Sequence, residues 1–163
     1  MALYYDHFDT AVGRAAAAVD DDDALVEFYF LREGGDGHLA SPLRATHDPA
    51  RLARVRQQIA EFFDRKRETF DLKLNPAGTP FQQKVWRALC DIPFGRTVSY
   101  QHIARQLGDI NAVRAVGTAN NRNPIALIIP CHRVIGKDGS MVGYGGGLAL
   151  KRALLDFETP PLL

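Results

Sequence analysis

The sequence predicts an α+β chain in two parts. Residues 1–76 read as an N-terminal antiparallel sheet with a helix, a scaffold domain. Residues 77–163 read as a mostly helical C-terminal domain with a helix-turn-helix. Three observations carry this. Apolar and polar residues alternate in short runs as far as Leu31, then fall at helical spacing from Ala50. Asn75-Pro76-Ala77-Gly78 is the best candidate boundary. Beyond it, helix-start signals recur at Thr79, Ser99 and Asn111.

The elements follow in order. Leu3 to Phe8 and Val12 to Val19 read as strands around a turn at Asp9-Thr10, and Ala24 to Leu31 as a third. Asp20 to Asp23 reads as a solvated turn, because four adjacent carboxylates cannot converge on one ion. Asp48-Pro49 is an N-cap with proline in the first helical position, so a helix is expected from Ala50 to Phe63. Phe70, Leu72 and Leu74 alternate as one more strand. Thr79-Pro80 repeats the cap-plus-proline signal. The helix it opens carries Phe81, Val85, Trp86, Leu89 and Cys90 on its apolar stripe, which puts Cys90 in the core. Ser99 caps Tyr100 to Leu107, Gly108 closes that helix, and Asn111 caps Ala112 to Asn120. Two short helices joined by a glycine-containing turn make a helix-turn-helix. The second is nearly all small, a surface able to press closely on another helix or on a nucleic-acid groove, and Arg114 stands alone on it. Leu148 to Phe157 is the last helix, with Lys151 and Arg152 directed outward and Glu158 at its end.

Composition narrows the function classes. The 163 residues are 46% hydrophobic, enough to bury a core, and no apolar run approaches the roughly 18 residues of a membrane span. No signal-peptide pattern opens the chain, so a cytoplasmic protein is expected. Two cysteines, Cys90 and Cys131, make neither a disulfide framework nor a four-ligand zinc site. Net charge is +1, unevenly spread: residues 1–79 hold 10 Lys+Arg against 14 Asp+Glu, and residues 80–163 hold 10 against 5. A surface for a polyanion therefore belongs on the second part.

The densest chemistry lies in Ile128-Ile129-Pro130-Cys131-His132-Arg133-Val134-Ile135-Gly136. A thiol, an imidazole and a guanidinium sit between two apolar runs, at a core edge where polar groups must be paired or used. A thiol reacts as thiolate and needs a base or a positive field. In an extended strand, neighbouring side chains point apart. Either the backbone turns at Pro130-Cys131, or His132 acts through a water or from another direction. A buried structural cysteine beside a histidine fits the spacing equally well.

The longer pattern is more specific. Asn123-Pro124, Pro130 to Gly136, Gly143-Tyr144-Gly145-Gly146-Gly147-Leu148, Lys151-Arg152, Leu154-Leu155 and Glu158 together closely resemble the O6-alkylguanine-DNA alkyltransferase family, from about Thr79 to Glu158. The family's members are one-shot DNA repair proteins that take an alkyl group from guanine O6 onto their own cysteine. The N-terminal half matches in style alone, that of a ribonuclease H-like domain. The resemblance implies a base flipped out of the duplex, with Cys131 as acceptor, His132 as a base acting through a water, and Glu158 as the carboxylate orienting it. It implies that Arg114 fills the space left by the flipped base, on a helix whose Ala112, Ala115, Thr118 and Asn120 meet DNA. Tyr100 would stand near the 3′ phosphate and donate to guanine N3, Asn123 would be a hinge, and Tyr144, Gly145 and Gly146 would form the pocket wall. Arg133 is expected to hold the loop. Gly145 stands where serine or alanine is frequent in the family, which predicts a roomier pocket and tolerance of larger alkyl groups.

The implied partner is double-stranded DNA with alkylated guanine, bound by a monomer through the minor groove, with no membrane, metal or organic cofactor. O4-alkylthymine is the expected second substrate. The alternative is an alkyltransferase-like damage-binding protein without transfer activity; such proteins lack the acceptor thiol, which Cys131 supplies. A cysteine hydrolase would need an oxyanion hole, and no strand–elbow–helix nucleophile signal occurs. A plain helix-turn-helix regulator leaves the Pro130–Gly136 stretch without a purpose.

Overall fold

A computed structural model describes residues 2–31, 45–139 and 147–159. The architecture is α+β, and the chain forms two compact units, Met1–Ala77 and Gly78–Leu163.

In the first unit, β1 (Leu3–Thr10), β2 (Gly13–Val19) and β3 (Leu25–Phe30) form an antiparallel meander. The hairpin turn falls at Ala11-Val12, two residues beyond the expected Asp9-Thr10, because Thr10 still pairs with Gly13. A short β4 (Ala45–His47) joins the far edge of β1 in parallel, giving the order β3-β2-β1-β4. β2, one of the two inner strands, carries a run of four alanines, Ala15 to Ala18, each 0% exposed. Helix α1 (Ala53–Phe63) lies on the face carrying Asp6 and Phe8; Arg56 donates to Asp6 Oδ2 at 2.7 Å, and His47 Nε2 lies 3.0 Å from Asp6 Oδ1.

Three expectations fail here. Helix α1 starts at Ala53, one turn late, because residues 49–52 close tight three-residue turns: Arg51 N donates to Asp48 O at 3.2 Å and Leu52 N to Pro49 O at 3.2 Å. Phe70 to Leu74 is not a strand beyond a single bridge from Leu74 to Leu25. The backbone groups of Asp71 are taken by side chains: Gln58 both donates to its carbonyl and accepts from its N–H, and Arg54 donates to the same carbonyl. The aspartate run is not all solvated. Asp20 is buried, accepting from the N–H groups of Asp22 and Ala24 and from Asn75 Nδ2, and it closes the turn with Asp23 at φ 60°.

The second unit starts with α2 (Pro80–Cys90), whose cap forms as its sequence dictates: Thr79 Oγ1 accepts from Gln82 N while Gln82 Oε1 accepts from Thr79 N. Cys90 is exposed rather than in the core. It is the last residue of the helix, and past it the chain turns so that Ile92, 4% exposed, takes the buried place. Next come β5 (Val98–Ser99), α3 (Tyr100–Gln106) and α4 (Val113–Asn121). Ser99 caps α3 by accepting from His102 N, and Gly108 follows at φ 84°. The cap before α4 is Asp109, not Asn111; its carboxylate accepts from Asn111 N and starts a 3-10 turn, Ile110–Ala112, that leads into α4. A 3-10 turn at Cys131–Arg133, β6 (Val134–Ile135) and α5 (Leu148–Glu158) complete the unit. Strands β5 and β6 pair in parallel. Among the described residues, no helix is long and apolar enough to cross a membrane.

Candidate active site

The site is built on a backbone that turns. Leu127 holds φ 68°, and Ile128 N, Ile129 N and Cys131 N donate to the carbonyls of Ala126, Ile125 and Ile129 at 2.7, 3.1 and 2.8 Å. Pro130 then opens the 3-10 turn, closed by Arg133 N donating to Pro130 O at 3.0 Å. The backbone turns at Pro130-Cys131, so Cys131 and His132 do not alternate as in a strand.

All of the buried ionisable side chains among the described residues of this unit gather here: Cys131, His132, Arg133, Lys151 and Glu158. His132 is 0% exposed, and its Nε2 lies 2.7 Å from Glu158 Oε2. Arg133 grips the same carboxylate with both ends of its fork, Nε to Oε1 at 2.7 Å and Nη2 to Oε2 at 2.9 Å, while Nη1 donates to Ile92 O at 2.7 Å. Burial would raise the Glu158 pKa, but hydrogen bonds from His132 and Arg133 and the guanidinium charge outweigh it and hold the carboxyl at about 2. Glu158 is therefore an anion that fixes the imidazole. Burial lowers the His132 pKa against the pull of Glu158, so the ring is neutral near pH 7. With Nε2–H donating to the carboxylate, Nδ1 carries the lone pair; it is buried and has no partner among the described residues. That atom is a base set for a proton from outside the ion-pair cluster.

Cys131 is 6% exposed. Burial pushes its thiol pKa up, while a hydrogen bond from Asn123, the charge of Lys151 and backbone N–H groups pull it down. The resting group is a thiol that needs a base, as the His132 arrangement supplies.

Helix α4 reaches the turn from the other side. Asn123 Nδ2 donates to Ile129 O at 2.8 Å, and its Oδ1 accepts from Ile125 N at 3.0 Å, joining the end of α4 to the active-site loop. Trp86 Nε1 donates to Ala119 O at 2.9 Å and ties α2 to α4. Tyr100 is half-buried next to α4, where a Cβ on Gly117 would lie 3.9 Å from its ring. Burial, then the charge of Cys131, raises the Tyr100 pKa and keeps its hydroxyl protonated. Arg114, Ala115 and Thr118 are exposed on α4 and Ala112 is partly so.

Two readings of side-chain direction are overturned. Asn120 is not on the exposed face: it is 1% exposed, and its Nδ2 donates to Cys131 O at 3.4 Å. Six residues beyond Arg114, it has rotated by most of two turns onto the inner side. Lys151 does not point outward: it is 0% exposed, and its Nζ donates to Val134 O at 2.6 Å. A signal for Lys151 was available, since Lys151, Leu154 and Glu158 share one stripe of α5 at spacings of three and four. Arg133 holds the loop as expected, through Glu158 and Ile92. Tyr144, Gly145 and Gly146 lie outside the described residues.

The chain is similar to known proteins over nearly its whole length. The family model described as "6-O-methylguanine DNA methyltransferase, DNA binding domain" matches residues 80–160. The methylated-DNA–protein-cysteine methyltransferase of Methanosarcina barkeri is 44% identical over 156 residues, 96% of this chain and 97% of that one. The constitutive enzyme of that name from Bacillus subtilis is 40% identical, covering 95% and 94%. Among solved structures, Mycobacterium tuberculosis O6-methylguanine methyltransferase superposes with a TM-score of 0.87 at 42% identity, covering 96% and 92%. The same organism's OGT in complex with DNA gives 0.84 at 41% identity, covering 95% and 92%. A buried Cys-His-Glu cluster on a turn beside α4, and relatives alike over nearly the full length, lead to one conclusion: the chain belongs to the methylated-DNA–protein-cysteine methyltransferase family.

Proposed function

We propose that this protein repairs DNA by direct reversal, moving the alkyl group of O6-alkylguanine in double-stranded DNA onto Cys131. The observation that carries this is the Cys131 turn, where a buried thiol adjoins a neutral His132 whose Nδ1 is unpaired among the described residues while Glu158, itself gripped by Arg133, holds its other side.

The DNA-binding domain is the second unit, with α3 and α4 acting as a helix-turn-helix in the minor groove and phosphate contacts dominating affinity. The first unit is a scaffold in the ribonuclease H-like style. Arg114 enters the stack, flanked by Ala112, Ala115 and Thr118, and the lesion base swings out. His132 Nδ1 takes the Cys131 proton through a water. The thiolate attacks the alkyl carbon in line; the S–C bond forms as the C–O6 bond breaks, and its electron pair stays on guanine. Tyr100, kept protonated, donates at guanine N3, and the thiol proton held on His132 passes through water to the tyrosinate, so the base leaves neutral and both side chains end as they began. Asn123 hinges α4 to the loop. The thioether has no leaving route, so each molecule acts once. O4-alkylthymine presents the same alkyl–oxygen bond and is a second substrate. The protein works as a cytoplasmic monomer.

The test is a titration of a duplex carrying O6-methylguanine with increasing protein. Repair that stops at one lesion per protein molecule, and none with Cys131→Ser, is expected. Repair of many lesions per molecule contradicts the mechanism; tight binding without repair leaves a damage-binding protein.

A further inference from the structure

Two buried side-chain polar atoms of the second unit have no partner among the described residues, and both belong to residues that adjoin Cys131. One is His132 Nδ1, the base. The other is Oδ1 of Asn120, a residue 1% exposed in the last turn of α4. Asn120 Nδ2 donates to Cys131 O at 3.4 Å. A carbonyl oxygen only accepts, so the amide nitrogen faces it and Oδ1 is turned away. A buried acceptor without a donor costs stability. The other buried positions of α4, Val116 and Ala119, are apolar, so an amide beside them needs a use. Its placement is firm: Trp86 donates to Ala119 O on one side, and Asn123 donates to Ile129 O on the other.

A water molecule supplies what both atoms lack, since a buried water is held by two to four polar partners. One of its hydrogens goes to Nδ1 and the other to Oδ1, which leaves its lone pairs for the thiol hydrogen. With both hydrogens committed, the water meets Cys131 as an acceptor. Held by Nδ1 alone, it is free to turn and donate to the sulfur instead, the wrong orientation for taking a proton.

We propose that Asn120 is a positioning residue for alkyl transfer: its Oδ1 fixes the water through which His132 Nδ1 takes the Cys131 proton. The proposal rests on Cys131 being the alkyl acceptor and His132 its base. The S–H bond breaks and its proton joins the water oxygen, while the water gives Nδ1 the hydrogen shared with it. The hydrogen on Oδ1 stays where it was. A thiolate, an imidazolium and a water remain, and Asn120 takes no proton. The charged and titratable groups around the thiol are Arg133, Glu158 and Lys151, with Tyr100 from α3 and Cys90 and Asp91 at the end of α2. Replacing Asn120 alters none of them.

The experiment compares wild type, Asn120→Leu, His132→Ala and the double variant across pH 6 to 9.5. Two reactions are followed: single-turnover methyl transfer from an O6-methylguanine duplex, and DNA-free alkylation of Cys131 by iodoacetamide, separated from Cys90 by peptide mapping. N120L is expected to be about tenfold or more slower in both at pH 7, a part of the roughly 10²–10⁴-fold that positioned proton transfer contributes. The deficit should shrink as pH rises and hydroxide takes the proton directly. N120L should slow H132A no further, because the two residues act through one water. An unchanged rate, a deficit constant at all pH values, or full additivity with H132A overturns the proposal. A deficit on the duplex alone also overturns it, since Oδ1 would then meet the flipped base. If wild type reacts with iodoacetamide but not with the duplex, the acceptor reading falls, while the iodoacetamide rates still decide the role of Asn120. Should N120L not fold, a crystal structure of the wild type carries the test. An ordered water within about 3 Å of Asn120 Oδ1 and His132 Nδ1, in reach of Cys131 Sγ, is expected; a water on Nδ1 that leaves Oδ1 unpaired, or no water at either atom, overturns it.

Discussion

Replacing Glu158 by glutamine removes the anion on which the site is hung and leaves its shape nearly unchanged. A carboxyl that ionises at about 2 rather than 4.5 is held as the anion by about 3 kcal/mol, at 1.36 kcal/mol per pH unit. The loss of one partner from a buried ion pair costs roughly 3–5 kcal/mol, since Arg133, 6% exposed, keeps its charge without its counter-ion. Glu158→Gln should therefore destabilise the protein by about 3 kcal/mol at pH 7, a fall in Tm of roughly 6–12 °C for a chain of this size. The sign with pH follows from the depressed pKa. The contribution is complete above the ordinary carboxyl pKa of 4.5 and is lost as pH falls through about 2. Urea unfolding followed by the fluorescence of Trp86, the single tryptophan and 2% exposed, measures it. Wild type and E158Q should differ by the full amount at pH 7 and converge towards pH 2. A difference under about 0.5 kcal/mol at pH 7, or one that stays constant down to pH 2, would refute the reasoning.

Two further outcomes follow from other parts of the structure. Arg114→Ala, at an exposed position, should leave stability within about 0.5 kcal/mol of wild type. It should slow transfer from duplex DNA by about tenfold or more and spare transfer from free O6-benzylguanine; equal loss on both substrates would remove Arg114 from the flipping step. Gly78→Ala should cost about 1–3 kcal/mol, because its Cβ would overlap the Trp86 ring and crowd Gln82 Oε1 of the α2 cap; a melt unchanged from wild type would show that the ring has room to move.

What could be read from sequence was what short-range chemistry decides. The Thr79–Gln82 cap and the Ser99 cap form from side chains three residues from their partners, so their residues suffice to place α2 and α3. The Cys131–His132–Glu158 pattern was legible through the family resemblance, and the structure sets His132 Nε2 2.7 Å from Glu158 Oε2. What was missed depends on distant neighbours. β4 is three residues long and exists by pairing with β1, a partner no local pattern names. Residues 70–73 alternate like a strand, yet Gln58 and Arg54 claim the backbone groups of Asp71. Lys151 and Asn120 are polar residues that propensity assigns to solvent; the loop folded over them buries both and supplies the carbonyls of Val134 and Cys131.

The central claim is that Cys131 itself receives the alkyl group, and intact-protein mass spectrometry reads this directly. The protein is mixed with a duplex carrying one O6-methylguanine, beside Cys131→Ser. The account predicts a gain of about 14 Da, one methylene, on the native protein alone, mapped to the Cys131 peptide. An unchanged mass while the duplex is bound, or a gain mapped to Cys90, would contradict it.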